Sequence, residues 1–97
     1  MRVLWTELAL QRIQDIDAFI SMDSPVAAEK WVGKIFERGK SLSLFPKQGR
    51  IVPERGLQKL REIIVGNYRL IYRISSKQVS ILSVVERHRL IVEGDLQ

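Results

Sequence analysis

The sequence predicts an α+β fold in which a hairpin of two α-helices packs on an antiparallel sheet of about four strands. Three apolar runs of strand length, rich in β-branched and aromatic residues, follow one another between Leu60 and Val85. Two earlier stretches carry apolar residues at the three- and four-residue spacing of amphipathic helices. Because both helical stripes need an apolar surface to cover, we expect the helices on one face of the sheet and the other face open.

The β-hairpin at Gly66-Asn67 sets the register of this sheet. These two turn residues tolerate positive φ, so Val65 should lie opposite Tyr68. Side chains alternate between the two faces of a strand. The expected core face carries Ile63, Val65, Tyr68, Leu70, Tyr72 and Ile74. The opposite, mixed face carries Glu62, Ile64, Arg69, Ile71 and Arg73.

A short strand and the first helix precede the sheet in the chain. Val3–Trp5 is an apolar run of strand type, and Thr6 is a suitable N-cap for a helix. The helix should end near Met22. Its buried stripe is formed by Ala9, Ile13, Ile16 and Ile20.

The second helix begins at Ser24-Pro25, where serine is the cap and proline the first helical residue. It cannot continue past Phe45-Pro46. Its apolar stripe consists of Ala28, Val32, Ile35, Phe36, Gly39 and Leu42, flanked by Trp31. A loop of about a dozen residues then leads to the sheet, and ordered loops of that length are often functional.

Size and composition limit the class of protein. The 97 residues predict a single domain spanning residues 1–97. The net charge of +5 suits nucleic acid or an acidic partner. Cysteine is absent and there is one histidine, so we expect no disulfide, no metal site and no cofactor. With no signal-peptide pattern and no apolar run near roughly 18 residues, we expect a cytoplasmic protein that does not enter membranes.

Three ionisable residues form a candidate catalytic set. Glu54 in the loop, Arg69 in the middle strand and His88 after the last strand could supply a base, a phosphate clamp and an acid for RNA cleavage. They could converge at one edge of the open face. The alternative is a loop carboxylate and a surface histidine without a catalytic role.

Arginines are also concentrated in this half of the chain, and arginine is the usual residue for phosphate recognition. The candidate binding set is Arg61, Arg69, Arg73, Arg87 and Arg89. The alternative is a solvated sheet surface with cross-strand ion pairs, such as Glu62 with Arg69 or Arg73.

Several short motifs follow one another in a fixed order along the chain. They are Trp5-Thr6 with Ala9, Ser24-Pro25 with Ala27-Ala28, Phe45-Pro46 with Gly49-Arg50, the run from Leu60 to Arg73, and Val84-Val85 through His88-Arg89. Together they resemble the RelE/ParE superfamily of bacterial toxins over essentially the full chain. The resemblance implies a small cytoplasmic toxin that a cognate antitoxin protein holds inactive in a hetero-oligomer.

The superfamily contains two activities, and the residues match them unequally. RelE-like members cut mRNA on the ribosome, whereas ParE-like members inhibit DNA gyrase and lack a ribonuclease site. Arg69 matches the arginine of the RelE-like Tyr-Arg-Leu-x-Tyr motif, and Arg87 aligns with a second arginine. The lysine pair of RelE corresponds to Glu62 and Ile64, and its C-terminal tyrosine has no counterpart.

A YoeB-like variant uses glutamate, arginine and histidine, which Glu54, Arg69 and His88 match, while Arg89 replaces its terminal tyrosine. A glutamate in place of a lysine opposes the charge that develops on a transferring phosphate. The resemblance therefore favours a ParE-like gyrase inhibitor without catalytic residues. Two alternatives remain: a ribosome-dependent mRNA endoribonuclease, in which Arg87 assists these three residues, and an inactive relative that only binds an antitoxin.

Overall fold

The computed structural model describes residues 1–97 and confirms the α+β class. Neither helix combines the length and apolar character that a bilayer crossing requires. The elements in chain order are β1 (Arg2–Trp5), α1 (Glu7–Ser21), α2 (Pro25–Lys40), a 3₁₀ turn (Ser41–Ser43), β2 (Arg50–Ile51), β3 (Leu60–Val65), β4 (Tyr68–Ile74), β5 (Gln78–Glu86) and a final 3₁₀ turn (Glu93–Leu96).

The sheet has five strands in the order β1-β5-β4-β3-β2, and it is mixed rather than wholly antiparallel. β1 runs parallel to β5, with Val3 opposite Val79. β2 is a two-residue strand within the connecting loop and pairs Arg50 with Glu62. Residues alternate between faces in the same way in parallel and antiparallel strands, so alternation does not reveal the direction of β1. The two residues of β2 are too few to show any alternation. The sequence therefore did not predict either feature.

The β3–β4 hairpin has the predicted register, with Val65 opposite Tyr68 and Ile63 opposite Leu70. Gly66 has a φ of 61°, the left-handed conformation that glycine adopts without strain. A bulge between Ile71 and Tyr72 interrupts the pairing of β4 with β5.

The predicted helix starts and core face are confirmed. The Thr6 hydroxyl accepts a hydrogen bond from the Ala9 N–H and donates one to the Ile81 carbonyl, so one residue caps α1 and ties it to β5. Ser24 caps α2 at the Ala27 N–H. The first core lies between the helices and the sheet. Its buried residues are Ala9, Ile13, Trp31, Ile35, Leu42, Ile63, Val65, Leu70, Tyr72, Val79, Ile81 and Val84.

The opposite face of the sheet was expected to be open, and that expectation is wrong. The connecting loop and the C-terminal tail (residues 87–97) cover it and form a second core with the strands. The single apolar residues that these segments contribute follow no periodicity, so a pattern search does not detect them. The second core consists of Val52, Leu60, Ile71, Leu82, Val85, Ile91 and Leu96.

Candidate functional site

A buried arginine lies at the centre of the covered face. Arg69 of β4 and Glu62 of β3 point to the same face, and their side chains are 5% and 0% exposed. Glu54 reaches them from the connecting loop. A charge removed from water is costly unless it is paired and hydrogen-bonded, so these side chains must satisfy one another.

The Arg69 guanidinium uses two edges of its plane for hydrogen bonds within the chain. Its two terminal nitrogens bind the two carboxylate oxygens of Glu54 at 2.8 and 2.7 Å. Nε donates to Glu62 at 2.8 Å, and Nη1 also donates to the backbone carbonyl of Arg89 at 3.0 Å. Nη2 lies 2.6 Å from the same Glu62 oxygen. Every guanidinium nitrogen is therefore engaged, and the pKa of Arg69 is raised by its hydrogen bonds with Glu54 and then Glu62.

Glu54 is held as a carboxylate. The hydrogen bonds from Arg69 lower its pKa from 4.5 to about 2, assisted by the backbone N–H of Ile91, which donates to it at 3.0 Å. An efficient general base has a pKa near the working pH. Glu54 is therefore a poor base at neutral pH, and its evident role is to join Arg69 to the C-terminal tail.

A second buried carboxylate fixes the same tail. Asp95 is fully buried and accepts from the guanidinium of Arg89 at 2.7 Å and from the Val92 N–H at 2.9 Å. Arg12 of α1 lies 3.1 Å away. Burial alone would raise the pKa of Asp95, but the hydrogen bond from Arg89 and the neighbouring charges hold it below its usual value. The tail is thus joined to α1 as well as to the sheet.

The structure brings Glu54 and Arg69 together but does not bring His88 to them. His88 lies in the exposed turn after β5, where its backbone N–H donates to Glu86 at 2.9 Å. Its imidazole makes no hydrogen bond to Glu54 or Arg69. Arg87 beside it is exposed, and its guanidinium takes part in none of the ion pairs.

The other predicted arginines are committed to the chain itself. Arg61 donates to the Gln58 carbonyl and to the Gly49 carbonyl, both at 3.0 Å, which fixes the connecting loop. Arg73 reaches the carbonyl of Leu96 at 3.4 Å. Arg69 and Arg89 are hydrogen-bonded within the chain as well. Of the five arginines in the predicted binding set, only Arg87 has a guanidinium without a hydrogen bond or ion pair.

Sequence reasoning anticipated one of these contacts and missed others. The cross-strand pair of Glu62 with Arg69 was one of two alternatives, but it is buried rather than solvated. Glu62 also pairs with Arg50. The role of Asp95 was missed, and the available signal was weak: a single acid directly before Leu96, in a tail without a periodic pattern.

The chain as a whole is similar in sequence and in fold to proteins of toxin–antitoxin systems. The family model for the ParE toxin of the type II toxin–antitoxin system parDE matches residues 3–91. The Sinorhizobium fredii protein named "Putative toxin Y4kP" is 37% identical over 90 residues, which cover 91% of this chain and 90% of that protein.

Two solved toxin–antitoxin systems have the same fold. The chromosomal ParDE system from P. aeruginosa contains a chain with a TM-score of 0.71 and 25% identity, covering 89% of this chain and 95% of that one. A chain of the RelBE2 toxin–antitoxin complex from Mycobacterium tuberculosis has a TM-score of 0.63 and 26% identity. The match covers 89% of this chain and 96% of that one.

Replacing Arg69 with alanine should destabilise the fold strongly. The change leaves Glu54 without its cation and Glu62 with Arg50 alone, and breaking a buried ion pair by removing one partner costs roughly 3–5 kcal/mol. Urea denaturation of the purified chain measures the loss. Arg55→Ala is the matched control, because its pair with the 77% exposed Glu93 is a surface contact worth at most about 1 kcal/mol. Equal costs for the two variants would contradict this account of the cluster.

Glu54 should also make stability depend on pH. Folding lowers its pKa from 4.5 to about 2, so its contribution is present above pH 4.5 and is lost as the pH falls through 2. The Glu54 carboxylate is partly exposed, and solvent screening reduces its contribution to the free energy of unfolding to roughly 2 kcal/mol. Glu54→Gln should therefore be less stable than wild type at neutral pH, and the difference should shrink towards pH 2 in urea titrations. A difference that is constant across this range would exclude the assigned pairing.

Proposed function

We propose a target and a mode of action from the premise that this chain belongs to the ParE toxin family of type II toxin–antitoxin systems. The toxin arrests growth by binding DNA gyrase and blocking its supercoiling reaction. The toxin contributes no bond-breaking step of its own. Acting on gyrase places it in the cytoplasm.

The saturation of Arg69 is the observation that supports binding over RNA cleavage. A phosphoryl-transfer site needs cations whose donors are free to meet the developing charge. The guanidinium of Arg69 already binds two carboxylates and a carbonyl on a covered face. Glu54, with a pKa of about 2, is in the wrong range for a general base.

The turn after β5 is the surface we assign to the target. Arg87 is exposed with a free guanidinium, and Leu90 three residues later is 73% exposed. An uncommitted cation beside an exposed apolar side chain suits a protein interface, where charge steers the encounter and apolar contact holds it. His88 lies between them in the same exposed turn, and we assign it no role in binding.

An antitoxin is the second partner. The ParDE and RelBE2 neighbours are toxin–antitoxin systems, which supports a cognate antitoxin that binds this chain in a hetero-oligomer and neutralises it. The apolar residues exposed at the surface supply binding area for such a protein.

Ribosome-dependent mRNA cleavage is the second candidate function. The observation that favours it is the pair of adjacent exposed side chains, Arg87 and His88, which could offer a cation and an acid without help from Glu54.

One paired assay separates the two functions. Purified toxin should inhibit supercoiling by gyrase and leave a defined mRNA intact on translating ribosomes. His88→Ala should retain inhibition, whereas Arg87→Glu should weaken it about tenfold by reversing a steering charge. Lys77→Glu, in the exposed β4–β5 turn, is the control for the change of net charge. The ribonuclease would be established instead if the wild-type toxin cleaved the mRNA, the His88→Ala variant did not, and neither protein affected gyrase.

A further inference from the structure

An open hollow lies where the helical hairpin meets the turn between β3 and β4. Its volume of about 590 Å³ is within the range of sites that bind ligands. Three aromatic side chains line it: Phe19 from α1, Trp31 from α2 and Tyr68 from β4. Met22, between the helices, also lines it and is 86% exposed, while Phe19 is 68% exposed. The chain itself therefore leaves a large apolar surface uncovered here.

The hollow is acidic, although the chain as a whole is basic. Asp23 is the one charged residue in its lining, and it takes part in no ion pair. Residues 13–29 contain four aspartates or glutamates and no lysine or arginine, whereas the net charge of the chain is +5. The backbone N–H of Arg87 donates to the Asn67 carbonyl at 2.7 Å, but the Arg87 side chain does not line the hollow. A complementary occupant is thus apolar and carries a positive charge.

A turn at the other end of α2 has this chemistry. We name residues 44–47 the Phe45 turn. Leu44 and Phe45 are 77% and 63% exposed, and Lys47 is exposed and takes part in no ion pair. Residues 38–53 contain four lysines or arginines and no aspartate or glutamate. The chain therefore presents both an acidic apolar hollow and a basic apolar projection.

The fold holds the Phe45 turn in place while its apolar side chains remain in solvent. The Phe45 carbonyl accepts a hydrogen bond from the Gln48 N–H at 3.1 Å. The Pro46 carbonyl accepts one at 2.7 Å from the hydroxyl of Tyr72, a fully buried residue of β4. A projection that is already ordered loses little conformational freedom when it binds.

We propose that the hollow of one chain receives the Phe45 turn of a second copy. The turn cannot enter the hollow of its own chain, because the two lie at opposite ends of α2, whose 16 residues span about 24 Å. Phe45 of the partner subunit packs on the aromatic lining, and the partner's Lys47 lies beside Asp23. The contact joins two different surfaces, so assembly stops at a dimer only where two chains exchange their turns.

A mixture of two variants tests this contact on the purified, full-length chain. Ala27→Arg should close the hollow, because Ala27 is an exposed lining residue and a longer side chain there does not enter the core. Phe45→Ser should disable the turn. In sedimentation, wild type should rise with concentration from 11.2 kDa to at least twice that mass, while each variant alone remains monomeric. An equimolar mixture should form one-to-one heterodimers, since the first variant keeps its turn and the second keeps its hollow.

Val92→Ser is the matched control. It removes an exposed apolar side chain from the C-terminal tail, on the opposite face of the sheet, and should associate as wild type does. Recovery of association in the mixture excludes unfolding as the cause of its loss, because an unfolded chain supplies neither surface. A wild-type chain that remains monomeric would assign the hollow to another protein and overturn the proposal. A single variant that associates as wild type does, or a mixture that stays monomeric, would overturn it as well.

Discussion

One buried guanidinium determines how half of this molecule is arranged. Arg69 cannot lie inside the protein unless its donors are satisfied, and no single element supplies enough acceptors. Glu62 comes from the adjacent strand, Glu54 from the connecting loop and a backbone carbonyl from Arg89 in the tail. These contacts draw the loop and the tail over the sheet, where Ile91 packs in the second core.

The same contacts limit what the covered face can do. The cations and carboxylates that suggested phosphate chemistry are bound to each other, so catalysis there would require breaking a buried network. Removing one member of such a network costs several kcal/mol. The exposed turn with Arg87 and His88 lies outside this network.

The sequence predicted the parts of the fold that depend on local rules. Thr6 and Ser24 were found as caps because capping needs a particular side chain at a particular place, and Gly66-Asn67 fixed a register because the turn has two residues. The covering of the second face was not predictable in this way. It depends on isolated residues such as Val52 and Ile91 meeting across a long separation in sequence.

The candidate site shows the same division. Residue type identified Arg69 and Glu54 as chemically important, and the structure places them together. Residue type could not show that the two side chains pair with each other. Alternation along a strand assigns a side chain to one face of the sheet, but it does not show which segments of the chain cover that face. Asp95 was missed because Arg12 comes from a distant segment, and because residue type does not show that Arg89, six residues earlier, folds back onto it.

Amide hydrogen exchange at Ile91 tests the central claim directly. The Ile91 N–H donates to Glu54, which in turn binds Arg69, so its exchange reports whether the tail is held by this network. The account predicts that Ile91 exchanges far more slowly than Leu90 in the same segment, and that Glu54→Gln removes much of this protection. Exchange of Ile91 at the rate of Leu90 in the wild-type chain would contradict the account.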